Sequence, residues 1–105
     1  MKRNQQLLSE IKKLILQQEP GAEVILYGSH ARGDNRPDSD VDILILLDKE
    51  TITRDDEKKI VYPLYELELN TSQVISPLIR SKKTWYEKYP NTALFVNIKN
   101  EGIRI

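Results

Sequence analysis

The sequence predicts a small α/β (α+β) domain in which helices flank a mixed β-sheet. Its 105 residues fall within the usual size of one domain, so we expect a single domain over residues 1–105. Residues 40–47 form an apolar run rich in β-branched side chains, which is typical of a central strand buried on both faces. Helical and strand-like patterns follow each other in the order helix, strand, strand, helix, strand, helix, which predicts a sheet covered by helices.

The first half of the chain is divided by clear turn signals. A helix comes first, because apolar residues recur every three or four positions at Leu7, Leu8, Ile11, Leu14 and Ile15. Pro20-Gly21 ends this helix, and strand formers over residues 22–27 lead into Gly28-Ser29. We expect a short helical turn after Ser29 and then a tight loop, because turn formers crowd residues 30–39.

The second half is predicted to contain two more helices and a third strand. A helix over residues 53–70 has carboxylates in its first turn, and Pro63 should kink it or split it in two. Residues 72–79 are predicted as a strand. A short helix is predicted over residues 81–89, with its first serine as the cap and the following proline as its end. The pattern of residues 92–105 fits either helix or strand.

Composition excludes several classes of function. Sixteen basic and sixteen acidic residues balance to a formal charge of zero, which argues against a protein that coats DNA or RNA. The chain has no cysteine and one histidine, which excludes disulfides, thiol catalysis and multi-histidine metal sites. No apolar run approaches the roughly 18 residues that span a bilayer, and residues 1–9 are polar and mixed. We therefore expect a cytoplasmic protein with no membrane contact.

The unusual residues are concentrated between Gly28 and Asp42. Gly28 ends a predicted strand, where the lack of a Cβ lets a ligand approach the backbone. Ser29 offers a hydroxyl, and a helical turn that starts there presents N–H groups to an anion such as phosphate. Asp40 and Asp42 lie two apart on a strand, so both side chains should emerge from one face. Two neighbouring carboxylates repel each other, and Mg²⁺ bound between them relieves that repulsion.

These features together predict a phosphate cradle that faces a metal site. A metal held by the two acids would neutralise a triphosphate and orient an in-line attack at phosphorus, while the cradle fixes the leaving pyrophosphate. Asp42 interrupts an otherwise apolar strand, where a charge without a partner would be strongly unfavourable. The residues therefore favour nucleotidyl transfer.

Gly28-Ser29, ten intervening residues and then Asp40-x-Asp42 resemble the signature of the DNA polymerase β-like nucleotidyltransferases. The longer motif, Gly-Ser-His-Ala-Arg-Gly followed by Ser-Asp-Val-Asp-Ile, is similar to that of the minimal nucleotidyltransferases of bacteria and archaea. Those proteins often act as the antitoxin of a HEPN-domain toxin. The resemblance implies the superfamily fold and transfer of a nucleoside monophosphate, AMP from ATP, to an acceptor hydroxyl. A tyrosine on a separate HEPN-type partner is one acceptor that it suggests.

The resemblance also implies a role for each matching residue. Gly28 and Ser29 would hold the β- and γ-phosphates of the nucleotide. Asp40 and Asp42 would be the catalytic residues and the Mg²⁺ ligands. Arg32 would brace the loop or touch phosphate.

The predicted third strand departs from the family pattern. Family members commonly supply a third acid there, whereas residues 72–79 contain none and Gln73 is the candidate for that position. Glu66 and Glu68 are the nearest acids, and we expect them on the preceding helix, facing solvent. A neutral amide neither takes a proton nor holds a second metal. A second function therefore stays open: a nucleotide-binding antitoxin module that occludes its partner, with weak or no transfer.

Structural interpretations compete with several of these roles. Ser29 is also a candidate helix cap, His30 an exposed loop residue, and Arg32 the partner of a nearby aspartate. Trp85 and Tyr89 share a helical face among basic residues, which fits core packing or a partner interface. Stacking on nucleic-acid bases is a third interpretation, and it fits a chain of zero net charge least well. The acceptor, the nucleotide base and the oligomeric state, homo-oligomers included, are left open by the sequence.

Overall fold

The computed structural model describes residues 5–105, which form a four-stranded sheet flanked by helices. The elements in chain order are α1 (Gln5–Gln18), β1 (Glu23–Tyr27), α2 (Ser29–Arg32), β2 (Val41–Leu47), α3 (Arg54–Thr71), β3 (Ile75–Ser81), α4 (Lys82–Lys88), α5 (Ala93–Glu101) and β4 (Ile103–Arg104). The predicted fold class is confirmed. Residues 1–4, part of the polar start of the chain, lie outside the described residues. Within residues 5–105, no helix is both long enough and apolar enough to cross a membrane.

β2 is an internal strand of a sheet whose order is β3-β2-β1-β4. It pairs antiparallel with β1 and parallel with β3, and β4 pairs antiparallel with the other edge of β1. The odd-numbered β2 residues pack against α1 and α3, whereas Leu44 and Leu46 pack with Trp85 of α4 and Ile98 of α5. Side chains 43–47 are all 0% exposed. The prediction of a central strand buried on both faces is confirmed.

Side-chain caps begin α3 at Thr53 and α4 at Ser81, the serine that the sequence predicts as a cap. Thr53 and Asp56 form a reciprocal capping box, in which each backbone N–H donates to the other side chain at 3.0 and 3.1 Å. Ser81 caps α4, because its hydroxyl oxygen accepts the Thr84 N–H. Because Ser81 is also the last residue of β3, α4 directly follows that strand, whereas a loop separates α3 from β2.

α3 continues through Pro63, so the predicted split does not occur. The proline removes one backbone donor, and Ile60 and Leu64 on either side of it are buried against the sheet. Their burial holds both halves of the helix on one core, which outweighs the lost hydrogen bond.

The last third of the chain differs most from prediction. α3 runs on to Thr71, whose hydroxyl donates to the Leu67 carbonyl at 2.7 Å, so β3 begins at Ile75 rather than at residue 72. The ambiguous residues 92–105 contain both a helix, α5, and a short edge strand, β4. Trp85 is 2% exposed and its ring lies 5.2 Å from that of Tyr89, which confirms core packing for this pair.

Candidate active site

The end of β1 and the start of β2 lie side by side, because the two strands are antiparallel. Their register pairs Tyr27 with Asp42. Gly28 and Ser29, which follow Tyr27, are therefore placed next to Asp42, as the sequence predicts. Paired residues point to the same face of a sheet, so Asp42 lies on the face that α4 and α5 cover.

Gly28, Ser29 and Asp42 form a corner between the end of β1 and the start of β2. Gly28 packs closely against Asp42 there. Its φ of 76° and ψ of −157° lie in a region that residues with a side chain strongly disfavour. A Cβ built on Gly28 would overlap Oδ2 of Asp42 and lie 3.3 Å from its Cγ. Glycine is therefore required twice, by the backbone conformation and by the carboxylate packed against it.

α2 begins directly after Gly28 and has Ser29 as its first residue. The backbone N–H groups of Ala31 and Arg32 both donate to the Gly28 carbonyl, at 3.0 and 3.1 Å. The capping position belongs to Gly28, and no side chain makes a capping hydrogen bond there. The interpretation of Ser29 as the helix cap is wrong, and its hydroxyl is not committed to the helix end.

The two aspartates differ in environment but share one electrostatic site. Asp40 precedes β2 and is exposed, whereas Asp42 is the second residue of β2 and is partly buried. Burial raises the pKa of the Asp42 carboxyl, and the negative charge of Asp40 raises that pKa further. The nearby His30 and Arg32 side chains lower the same pKa, and the Glu101 charge raises it. Asp42 therefore lies against Gly28, and Asp40 is close enough to affect the charge of Asp42.

Arg32 is tied to two carboxylates. Its Nε donates to Asp34 at 3.1 Å, and one of its terminal nitrogens donates to Glu101 at 2.9 Å. These hydrogen bonds raise the pKa of Arg32, and the bond to Glu101 contributes most. The other oxygen of Glu101 accepts the Gly28 N–H at 3.2 Å. Of the two roles expected for Arg32, the structure shows bracing of the loop, and it adds Glu101, which the sequence did not single out.

Two side chains converge on the carbonyl that precedes Asp40. The Nε2 atom of His30 lies 3.0 Å from the Ser39 carbonyl oxygen, and Gln73 Nε2 donates to the same oxygen at 2.8 Å. The His30 contact is partly buried, so the interpretation of His30 as an exposed loop residue is wrong. Because one peptide joins Ser39 to Asp40, both side chains help to fix the position of Asp40.

The pairing of β2 with β3 corrects the expectation for the third acid. Asp42 is paired with Ser76, and Gln73 precedes β3 altogether, so Gln73 does not stand beside Asp42. Glu68 does not simply face solvent either, because its carboxylate accepts the first backbone N–H of β3 at 2.8 Å. Glu66 is exposed, as expected. The residue paired with Asp42 in β3 is therefore Ser76, which carries a hydroxyl rather than a carboxylate.

The donors at this corner fit a magnesium ion that also binds phosphate. Among residues 5–105, no group of three or more acidic or histidine side chains is arranged to hold a metal ion. Asp40 and Asp42 supply two carboxylates, and Mg²⁺ usually completes its octahedron with substrate phosphates and water. Two carboxylates beside a glycine–serine corner therefore suit a magnesium–nucleotide, rather than a metal enclosed by protein.

The sequence over residues 8–99 matches the protein family described as nucleotidyltransferase domain. The chain belongs to this family. The resemblance to nucleotidyltransferases is thereby confirmed. This nucleotidyltransferase-domain protein is also 34% identical over 102 residues to a Methanocaldococcus jannaschii protein named "Putative protein adenylyltransferase". That match covers 95% of this chain and 96% of the relative.

A solved structure supports the same fold. It is described as a toxin-antitoxin with AMP-PNP, and it aligns with the nucleotidyltransferase-domain protein at a TM-score of 0.65. The alignment covers 91% of this chain and 69% of that one, at 18% sequence identity. At this identity the likeness shows a shared fold, which agrees with the mixed α+β architecture.

Proposed function

We propose that the protein transfers AMP from ATP, with Mg²⁺, to a hydroxyl on a separate HEPN-type partner protein in the cytoplasm. The observation that carries the proposal is the pairing of Tyr27 with Asp42, which sets Gly28-Ser29 against the carboxylates. Membership of the nucleotidyltransferase family and the name of the archaeal relative support adenylyl transfer.

Residues on one side of the corner would bind the phosphates, and residues on the other side would bind Mg²⁺. Gly28 has no side chain to obstruct the triphosphate, and the Ser29 hydroxyl, which caps no helix, donates to phosphate oxygens. Asp40 and Asp42 would hold Mg²⁺, which neutralises the triphosphate and favours attack at phosphorus when it is bound. His30 and Gln73 keep Asp40 in place through the Ser39 carbonyl.

The transfer step exchanges one phosphorus–oxygen bond for another. The acceptor oxygen bonds to the α-phosphorus of ATP, and the bond from that phosphorus to the pyrophosphate oxygen breaks. The acceptor's proton leaves to solvent, since β3 offers Ser76 rather than an acid beside Asp42. Catalysis then depends on positioning and charge stabilisation more than on a protein base.

The helices that cover the Asp42 face of the sheet offer exposed apolar side chains to a protein acceptor. α4 and α5 cover the sheet face that carries Asp42, and they expose Tyr86, Leu94 and Val96, of which Tyr86 is 49% exposed. Large exposed apolar side chains often mark protein interfaces. The structural neighbour, described as a toxin-antitoxin with AMP-PNP, supports a partner protein and a nucleotide as the two ligands.

Ser76 also favours a second candidate function. With a hydroxyl in place of an acid beside Asp42, transfer can be slow or lost while the nucleotide corner stays intact. The protein would then act as an antitoxin module that binds nucleotide and neutralises its partner by covering it.

Labelling of the partner separates the two functions. The purified protein is incubated with Mg²⁺, ATP labelled at the α-phosphate and the protein encoded by the neighbouring gene. Transfer to that partner is expected with the unmodified protein and is expected to vanish in Asp40→Asn and Asp42→Asn. Asp38→Asn, a change of the same chemistry in the same exposed loop, serves as the matched control and should retain transfer.

Two results would count against transfer. An unlabelled partner that the protein nevertheless binds and neutralises would support the occluding module. Full neutralisation by Asp42→Asn would point the same way, since that variant lacks a carboxylate that transfer requires.

A further inference from the structure

Glu101 is the last residue of α5 and contacts the nucleotide corner from the far end of the chain. One carboxylate oxygen accepts the Gly28 N–H at 3.2 Å, and the other accepts from Arg32 at 2.9 Å. Gly28 and Arg32 lie 73 and 69 positions away in sequence, respectively. The Glu101 side chain therefore hydrogen-bonds both to the residue that follows β1 and to α2.

The backbone around Glu101 is fixed to the strand that leads to Gly28. Gly102 donates its N–H to the Ile98 carbonyl at 2.7 Å, and a Cβ at position 102 would lie 2.9 Å from Cγ2 of Ile25. The next residue, Ile103, pairs with Leu26 in the antiparallel β1–β4 ladder. Because β4 is bonded to β1, the Glu101 carboxylate has a defined position relative to Gly28.

Glu101 forms an ion pair with Arg32 in this contact. Glu101 is 23% exposed at its side chain and faces the guanidinium of Arg32, which is 46% exposed. Arg32 is held on its other side by Asp34, so its orientation is set by two carboxylates. A carboxylate near a phosphate site would otherwise repel the ligand, and the paired arginine offsets that repulsion.

We propose that Glu101 is a positioning residue for nucleotide binding, acting through the Gly28 amide and the Arg32 side chain. It holds the Gly28 peptide in the orientation that presents Ser29 to phosphate, and it aims Arg32 along the same corner. This inference rests on the proposed nucleotide binding. It assigns no contact between Glu101 and the nucleotide itself.

Competition between the Glu101 carboxylate and a phosphate would change nucleotide affinity in the other direction. If the Glu101 carboxylate instead occupied the place of a phosphate, its removal would free Gly28 and Arg32 and tighten nucleotide binding. The direction of the change in affinity therefore decides between positioning and competition.

The test compares Glu101→Ala, Glu101→Gln and the matched control Glu87→Ala, an exposed glutamate on α4. Binding of Mg²⁺–ATP to the full chain is measured by calorimetry. Amide NMR reports the Gly28 N–H signal and its hydrogen exchange in the absence of nucleotide. Glu101→Gln keeps an oxygen that can accept from Gly28 but loses the charge that holds Arg32.

Positioning predicts a graded result. Glu101→Ala should weaken the Kd roughly tenfold and speed exchange of the Gly28 amide, because a hydrogen bond to a charged group is lost. Glu101→Gln should restore protection of Gly28 and part of the affinity. Glu87→Ala should leave both measurements unchanged.

Three results would overturn the inference. Equal or tighter nucleotide binding by Glu101→Ala, with the unmodified protein binding normally, removes the positioning role alone. Unchanged protection of Gly28 in Glu101→Ala removes the contact on which that role depends. A flat titration of the unmodified protein refutes the proposed nucleotide binding itself, and the positioning role with it.

Discussion

Alanine at position 28 should damage the protein in two separable ways. The backbone there has φ 76° and ψ −157°, which for a residue with a side chain costs about 2 kcal/mol. The new Cβ would also overlap Oδ2 of Asp42, and such overpacking adds about 1 kcal/mol once the carboxylate swings aside. Gly28→Ala should therefore lower the free energy of unfolding by about 3 kcal/mol and displace a carboxylate that we assign to the metal.

Gly33→Ala is the matched control for the backbone effect. Gly33 also has a positive φ, 82°, but a Cβ there meets nothing within 4 Å. This control should cost only about 1 kcal/mol, which corresponds to a fall in Tm of roughly 4–8 °C for a domain of this size. Nucleotide binding should persist in Gly33→Ala and be lost in Gly28→Ala.

Urea denaturation of single and double variants measures the two contributions separately. In an Asp42→Ala background the overlapping carboxylate is gone, so Gly28→Ala should cost only the backbone part, about 2 kcal/mol. A coupling of about 1 kcal/mol between positions 28 and 42 is thus expected. The reasoning is refuted if Gly28→Ala binds Mg²⁺–ATP normally, or if its stability loss equals that of Gly33→Ala and shows no coupling to Asp42.

Two further predictions concern acids with opposite pKa shifts. Burial raises the pKa of Asp42 above 3.8, so the charge of Asp42 opposes folding near pH 7, and this penalty disappears as the pH falls through the raised pKa. Asp42→Asn should therefore unfold at a higher urea concentration than the unmodified protein at pH 7, and the difference should narrow toward pH 4. Lower stability of Asp42→Asn at pH 7 would contradict this reasoning. Lys49 and then the Thr53 backbone lower the pKa of Asp56 from 3.8 to about 2, so its stabilising effect is present above pH 3.8 and lost toward pH 2. Asp56→Asn should be less stable than the unmodified protein at pH 7 and indistinguishable from it near pH 2 in thermal melts, and a constant difference across that range would show that the charge is not responsible.

The first half of the fold was predictable because each boundary has a local cause. Pro20-Gly21 stops α1, Gly28 ends β1, and the apolar run of β2 is long enough to be buried on both faces. The antiparallel pairing of β1 and β2 sets the end of one strand against the start of the next, which brings Gly28 to Asp42. Local pattern and tertiary contact agree there, so sequence alone identified the corner.

The third strand lies where the sequence predicts one, but its start was predicted at residue 72 rather than at Ile75, because that start has no such local cause. Thr71, Ser72 and Gln73 are polar residues that suit a helix end, a turn or an edge strand equally well. The choice is made by contacts outside the segment, including the Glu68 carboxylate that accepts the first N–H of β3. Because β3 starts at Ile75, Gln73, the candidate for the third-acid position, lies before the strand, and Ser76 is the residue paired with Asp42.

The contacts that Gln73 and Glu101 make were not predicted from the sequence, for a shared physical reason. Each acts on a backbone atom of the corner, the Ser39 carbonyl in one case and the Gly28 N–H in the other. Backbone groups accept any side chain that presents a donor or acceptor at the right place, so such contacts leave no pattern of residue types. By the same argument position 73 should tolerate other side chains that keep a donor, whereas Glu101 also needs its charge for Arg32 and Gly28 is tied to glycine by sterics.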